Sequence, residues 1–399
     1  MKKKILAGIL LAVMLLTSLT SCTMTDLDMF FGSVSKDETP IINNIYVEGG
    51  DNYENINITS TADKNLLAAS KAVLSVVSIF TTKSAGSGVI YELDKTTGDA
   101  LVITNFHVVY DEANDNIYDE IYLFLYGMEY QNYAMEAEYV GGSMTYDLAV
   151  LRVSASPVLV TSPARAADIA NSDEVSILET AIAIGNPEAG GISATVGSIS
   201  VDSETITIGF ETEPEETIVE LRVMRTDAAV NGGNSGGGLF NDKGELIGIV
   251  NARSSDTTSQ NIGYALPSNH VVAIAENIKY YSKNASSYKV HKCMLGITVA
   301  VTEMSTRYDE TTGKIAKLEK VEVTEIGRFA GAYGYLEVGD IINWIEVDGL
   351  RCDVTRMYQV VDTMLYARVG SRVTINVTRN GSTVSVTIPV RSSMIETVR

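Results

Sequence analysis

Ser235 stands in the stretch NGGNSGGGLF, residues 231–240, where five glycines surround one hydroxyl. Glycine weakens regular structure, so such a cluster implies a backbone that must take dihedrals a side chain would forbid. One kind of chemistry needs this. A serine hydroxyl becomes a nucleophile when a neighbouring base takes its proton. The carbonyl it attacks becomes an oxyanion, which requires donors placed in advance. The N–H groups of Gly233 and Ser235 are the candidates for that oxyanion hole. The stretch VITNFHVV puts His107 just after an apolar run, in a polar turn where an imidazole can act as the base. TYDLAVLRV puts Asp147 at the mouth of another strand, where a carboxylate can lean onto a histidine. Each residue alone has a plainer reading: a glycine turn, a core histidine, a strand cap. Together they supply nucleophile, base and orienting carboxylate.

GNSGG also fits G-x-S-x-G, the nucleophile elbow of α/β-hydrolases, with His270 or His291 downstream as that fold orders them. That elbow runs straight into a helix. Here GGGLFNDKGELIGIV follows, whose glycines and hairpin signal cannot make one. His270 instead belongs to SNHVVAIAENIKYY, an amphipathic helix pattern with Ser268 as its expected N-cap, and reads as structural.

The elements that must position these groups are mostly short strands. A helix signal, KNLLAASKAVL, precedes SVVSIF, GSGVIYEL, ALVIT, EIYLFLY and DLAVLRV. A second series contains ETAIAIG, SATVGSISV, TIVELRVMRT, GELIGIVNA and NIGYALP, separated from the first by SASPVLVTSPARAAD. Turn signals such as KTTGD and NDKG lie between strands, the pattern of β-barrels or sandwiches. The acidic stretch DSETITIGFETEPEE, 202–216, reads as a loop, regulatory or merely solvated. A third unit starts near Lys292, with strands KLEKVEVTEI, DIINWIEVDG and RVTINVTRNGSTVSVTIPV, a helix around VTRMYQVVDTML and an Asn380-Gly381 hairpin. The fold class is mainly β, followed by a mixed α/β module.

The first residues, MKKKILAGILLAVMLLTSLTSC, read as a secretory signal: three lysines, a short apolar run, then small residues. Leu19-Thr20-Ser21-Cys22 resembles the lipobox of bacterial lipoproteins, which implies cleavage of residues 1–21 and lipidation of Cys22. Loss of the three lysines takes the formal net charge from −20 to −23. Such a surface repels phosphate backbones, so nucleic acid is excluded as a partner. Residues 22–65 read as an acidic flexible tether. Cys293 and Cys352 remain, enough for one disulfide or two isolated thiols. With three histidines and no Cys/His cluster, no metal site is read and no cofactor is expected.

The chain resembles the chymotrypsin-fold serine proteases, and within them the bacterial HtrA/Deg family. The carriers are GSGVI, TNFHVV, DLAVLRV, AIAIGNPEAG, TDAAVNGGNSGG, GELIGIVNA and IGYALPSN, over roughly residues 66–390. The resemblance implies a trypsin-like protease domain over 66–284, with β-barrels at about 72–165 and 170–268 and a closing helix. It assigns catalysis to His107, Asp147 and Ser235 by an acyl-enzyme route. Ala228, Ala229 and Val230 would line the pocket for the residue before the cut. CMLGITV and YLEVGDIINWIEVDGLRC are similar to the PDZ domain of this family, implying a domain over 290–392 whose Met294, Leu295, Gly296 and Ile297 bind a peptide's terminal carboxylate. The expected protein is an exported serine endopeptidase, lipid-anchored on the outer face of the bacterial membrane, acting on misfolded or damaged polypeptides. A non-proteolytic chaperone or scaffold and a narrow regulatory protease are the alternatives, and a homotrimer is open. The family commonly has proline where Gly232 and Gly238 stand. Glycine at 232 implies a looser oxyanion loop and low basal activity.

Overall fold

The structure, a computed structural model, describes residues 61–129, 131–212, 216–251, 262–285 and 287–398. The leader and Cys22 lie outside the described residues. Helix α1 (Thr61–Ala72) opens onto β1 (Val76–Thr81), β2 (Ala85–Asp94) and β3 (Asp99–Thr104). Helix α2 (Phe106–Val109) follows, and β4 (Tyr110–Asp111) pairs with β5 (Asn116–Ile117) behind it. Next come β6 (Ile121–Leu125), β7 (Met135–Glu136), β8 (Glu138–Ser143) and β9 (Leu148–Val153). The first sheet has the order β7-β6-β1-β2-β3-β9-β8. Only Ala137 separates β7 from β8, so one bent segment pairs with β6 at one end and β9 at the other. Chain continuity, rather than a hydrogen-bonded ladder, brings the sheet's two edges together.

Helix α3 (Pro157–Thr161) lies in the connection. The second series forms β10 (Thr180–Gly185), β11 (Ser193–Phe210), β12 (Thr217–Thr226), β13 (Gly238–Phe240), β14 (Leu246–Asn251) and β15 (Gly263–Pro267). These close in a complete ladder, β10-β11-β12-β15-β14-β13. The stretch read as an acidic loop is largely strand, because Ile206, Ile208 and Phe210 alternate with threonines and glycine at the strand period. Helix α4 (Ser268–Ala285) begins directly after β15 and so has no separate cap residue. Ser268 Oγ donates instead to the Ala170 carbonyl at 2.7 Å, a correction to the expected N-cap.

The third unit comprises β16 (Val290–Cys293), β17 (Ile297–Tyr308), β18 (Ile315–Ile326), β19 (Ile341–Val347), β20 (Leu350–Asp353), α5 (Tyr358–Met364), β21 (Arg372–Arg379), β22 (Ser382–Pro389) and β23 (Ile395–Val398). Its main sheet runs β17-β18-β19-β21-β22, with β20 on β19. Asn380 and Gly381 both take positive φ and close the β21–β22 turn, as the sequence implied. Cys293 and Cys352 are free thiols.

This unit is docked, not tethered. The Asp362 carboxylate on α5 accepts Arg222 Nη2 from β12 at 2.6 Å and pairs with His270 Nδ1 from α4 at 2.8 Å. Asn277 of α4 donates to the Leu365 carbonyl at 2.7 Å. Between the units, the Tyr288 carbonyl accepts the Gly142 amide of β8 at 2.9 Å. Burial opposes ionisation of Asp362, but the charges of His270 and Arg222 outweigh it and hold its carboxyl below the usual range. A depressed carboxyl pKa contributes stability above the unfolded value of about 4, and that contribution is lost as pH falls through the folded value. Asp362→Asn, neutral at every pH, should therefore destabilise the protein by about 3 kcal/mol near pH 7. Denaturant melts at pH 7 and pH 3 should show the gap from wild type closing in acid.

Candidate active site

Asp147 sits in the turn between β8 and β9 with φ +46, a left-handed conformation that aspartate tolerates better than most residues. Its side chain is fully buried, at 0% exposure. A carboxylate can be held there only if its lone pairs are met. Oδ1 accepts the His107 main-chain N–H at 3.0 Å. Oδ2 pairs with His107 Nδ1 at 2.8 Å and accepts Asn251 Nδ2 at 2.8 Å. Asn105 Nδ2 donates to the Asp147 carbonyl at 2.9 Å. The first barrel thus fixes the imidazole twice, through ring and backbone. With Nδ1–H directed at the carboxylate, the neutral ring keeps its lone pair on Nε2, the tautomer a general base needs.

The Ser235 turn lies against this assembly. Its carbonyl accepts the Ser87 amide of β2 at 2.8 Å. The Gly236 amide donates to Val250 at 2.9 Å, one residue before Asn251. Gly236 has φ +82, and a Cβ there would lie 2.1 Å from the Ser87 carbonyl and 3.1 Å from the Asn105 amide. Only glycine lets the serine's own loop come that close to the histidine's segment. Ser235 therefore stands where the first barrel's β2–β3 end meets β14 of the second.

Gly233 has φ +92, and a Cβ would meet the Asn186 carbonyl at 2.3 Å. The carbonyl of Gly232 accepts the Glu188 amide at 2.8 Å. In a trans peptide the two ends point oppositely, so the Gly233 N–H faces away from Glu188. Ser87 Oγ donates to the Gly233 carbonyl at 2.7 Å and accepts the Asn186 amide at 2.8 Å. The loop is thus held at two consecutive carbonyls, those of Gly232 and Gly233. A Cβ on Gly232 would meet nothing within 4 Å. At Gly238 the Phe240 ring occupies the space a side chain would need, at 2.3 Å.

A family model described as a trypsin-like peptidase domain matches residues 86–249. Serine protease Do-like HtrA of Lactobacillus helveticus is 30% identical over 321 residues, 78% of this chain and 70% of that protein. The chain belongs to the HtrA serine protease family. Serine protease Do-like HtrA of Bacillus subtilis (strain 168) is 31% identical over 308 residues, 75% of this chain. The chain spans 62% of that relative and 58% of its counterpart in Lactococcus lactis subsp. lactis (strain IL1403), so it covers under two thirds of their lengths. A solved structure of the HtrA-type protease AlgW with tripeptide matches at 26% identity and TM-score 0.50, over 84% of this chain and 97% of that one.

The remaining expected residues in this HtrA-family chain fall in two places. Ala228 is buried with Ala183 and Met224 in the second barrel, whereas Ala229 is exposed and Val230 half-buried. Asp227 accepts the Ser198 amide at 2.6 Å, which accounts for its carboxylate as a structural group. Met294, Leu295, Gly296 and Ile297 join β16 to β17 in the third unit, with Gly296 at φ +70. Sequence reasoning missed Asn251 and Ser87. Both stand inside quoted motifs, GELIGIVNA and GSGVI, but nothing local marks an amide or hydroxyl whose partner lies a hundred residues away.

The two glycines should separate by function. Gly233→Ala should slow labelling of Ser235 by a fluorophosphonate about 100-fold, because a Cβ at φ +92 clashes with the Asn186 carbonyl and displaces the Gly233 N–H. Gly232→Ala should leave the rate within about twofold and raise stability by roughly 0.5 kcal/mol through the unfolded chain. Labelling time courses with thermal melts check both.

Proposed function

We propose that the chain is a serine endopeptidase of HtrA type. The observation supporting this reading is the His107 ring, held at Nδ1 by a buried carboxylate beside the Ser235 turn. In the reaction, Ser235 Oγ attacks the peptide carbonyl as its proton passes to His107 Nε2. The tetrahedral oxyanion is held by the N–H groups of Gly233 and Ser235. When the C–N bond breaks, His107 returns the proton to the leaving amine, and water then releases the acyl group by the same steps. Asp147 keeps the tautomer and stabilises the imidazolium, while Asn251 shares its Oδ2 and restrains it from turning.

Ala228, Ala229 and Val230, none of them acidic, would line the pocket for the residue before the cut and favour small or medium aliphatic residues there over lysine or arginine. The proposed protease domain is 66–284. The third unit, 290–392, is proposed as a PDZ domain whose Met294–Ile297 loop takes a peptide C-terminus while the peptide adds to β17, the sheet's edge strand. The leader and Cys22 make an exported, lipid-anchored protein acting on misfolded or damaged polypeptides the consistent setting.

Purified chain lacking the leader should degrade unfolded casein. Ser235→Ala and His107→Ala should lower cleavage by at least about 1000-fold. Undiminished cleavage by Ser235→Ala ends the reading, and a wild type that binds casein without cutting it favours a scaffold. Quenched peptides with Val or Ala before the scissile bond should be cut faster than those with Lys.

A further inference from the structure

Asn105 immediately precedes the helix that carries His107, and its side chain is turned away from the task its position implies. It is the N-cap of α2: its carbonyl accepts the Val108 amide at 3.3 Å, and its backbone is extended, with φ −74 and ψ 148. An asparagine there ordinarily caps its own helix, its side-chain oxygen accepting the second or third amide. Here it makes no such bond. The second amide, that of His107, goes instead to Asp147 Oδ1 at 3.0 Å. Asn105 Nδ2 in turn donates to the Asp147 carbonyl at 2.9 Å. Each segment supplies the partner the other lacks.

This arrangement is not free. Asn105 is 0% exposed, and its Oδ1 has no partner among the described residues. A buried acceptor left unpaired is unfavourable, and capping its own helix would pair it. The side chain forgoes that bond for one to Asp147. Asp147 in turn has few other supports for its backbone. Its φ of +46 lies in the left-handed region, where a residue other than glycine persists only if its surroundings over-determine it. Its amide is held within the β8–β9 turn by the Met144 carbonyl at 3.1 Å. Its carbonyl stands beyond the last β3–β9 pair, Thr104 with Ala149, where the chain after β3 has already turned into α2. The Asn105 amide extends that ladder by one rung, through a side chain in place of the backbone.

We propose that Asn105 is a positioning residue for the triad: by holding the Asp147 carbonyl it fixes the left-handed turn that aims both carboxylate oxygens at His107. This rests on the reading of Ser235 and His107 given above. A displacement near 1 Å among reacting groups can cost about 100-fold in rate.

The test is steady-state cleavage of a quenched Val-containing peptide by the full chain without its leader, with Ser235→Ala as control. Asn105→Ala should lower kcat about 10- to 100-fold with KM within about threefold. Asn105→Ser, which offers a favoured helix cap but no amide to reach Asp147, should be as slow as Asn105→Ala. Fluorophosphonate labelling of Ser235 extends the comparison to slower chains. There Asp147→Asn alone should lose rate steeply. Adding Asn105→Ala to it should cost less than about threefold more, since both act through one carboxylate. Folding is followed by far-UV circular dichroism and thermal melts. If Asn105→Ala does not fold, Asn105→Ser decides, and a chain that folds with neither gives Asn105 a structural role and ends the proposal. Wild-type kcat in either folded variant, a change in KM alone, or losses that multiply in the double variant also overturn it. An inactive wild type, or a Ser235→Ala that cuts as well, removes the hydrolase reading and the positioning role with it. An active wild type matched by its Asn105 variants removes the positioning role alone.

Discussion

The carboxylate of Asp147 is the constraint from which the rest of the molecule's design follows. An ionised group at 0% exposure is costly unless its oxygens are matched by donors. Here three donors come from two separate segments: the His107 backbone and the His107 ring from one, and the amide of Asn251 from the other. Two belong to the first barrel and one to the second. Satisfying one buried charge therefore fixes the seam between the barrels, and the same bonds that make the charge tolerable orient the imidazole. Stability and chemistry rest on one set of contacts.

Around that seam the glycines act as spacers. Gly236 lets the serine turn press against Ser87 and Asn105, and Gly233 lets the oxyanion loop press against Asn186. Ser87 ties these approaches together: its amide and hydroxyl proton serve the loop at Ser235 and Gly233, and its Oγ accepts the Asn186 amide. The five glycines of the motif do not share one purpose. Gly232 is sterically free, and Gly238 yields its space to the Phe240 ring.

The third unit adds a second polar anchor of the same logic. Asp362 is met by Arg222 and His270, and Asp202 by Lys317 and Arg356, so charges from both sides of the domain boundary are paired at the junction. His270 was read from sequence as a structural histidine of the closing helix, and its partner makes that role an interdomain one. A chain with many surplus carboxylates spends several of them on holding its parts in register.

The sequence by itself determined the strand-rich class, the order of the three units and the Asn380-Gly381 turn, and it singled out His107, Asp147 and Ser235 as candidates. These are legible because each is written locally, in alternation, in turn chemistry, or in a reactive side chain placed at a strand edge. Tertiary structure alone decided what joins them. Asn251 and Ser87 serve segments distant in the chain, the first barrel closes through a bend at Ala137, and the helix expected to begin with a Ser268 cap spends that hydroxyl on Ala170. The acidic stretch shows the limit most clearly. Its charges suggested a solvated loop, while the alternation of Ile206, Ile208 and Phe210 made it a strand whose Phe210 is buried beside Phe106 of α2. Charge is read residue by residue, but burial depends on which surface the fold brings opposite, and no local pattern carries that.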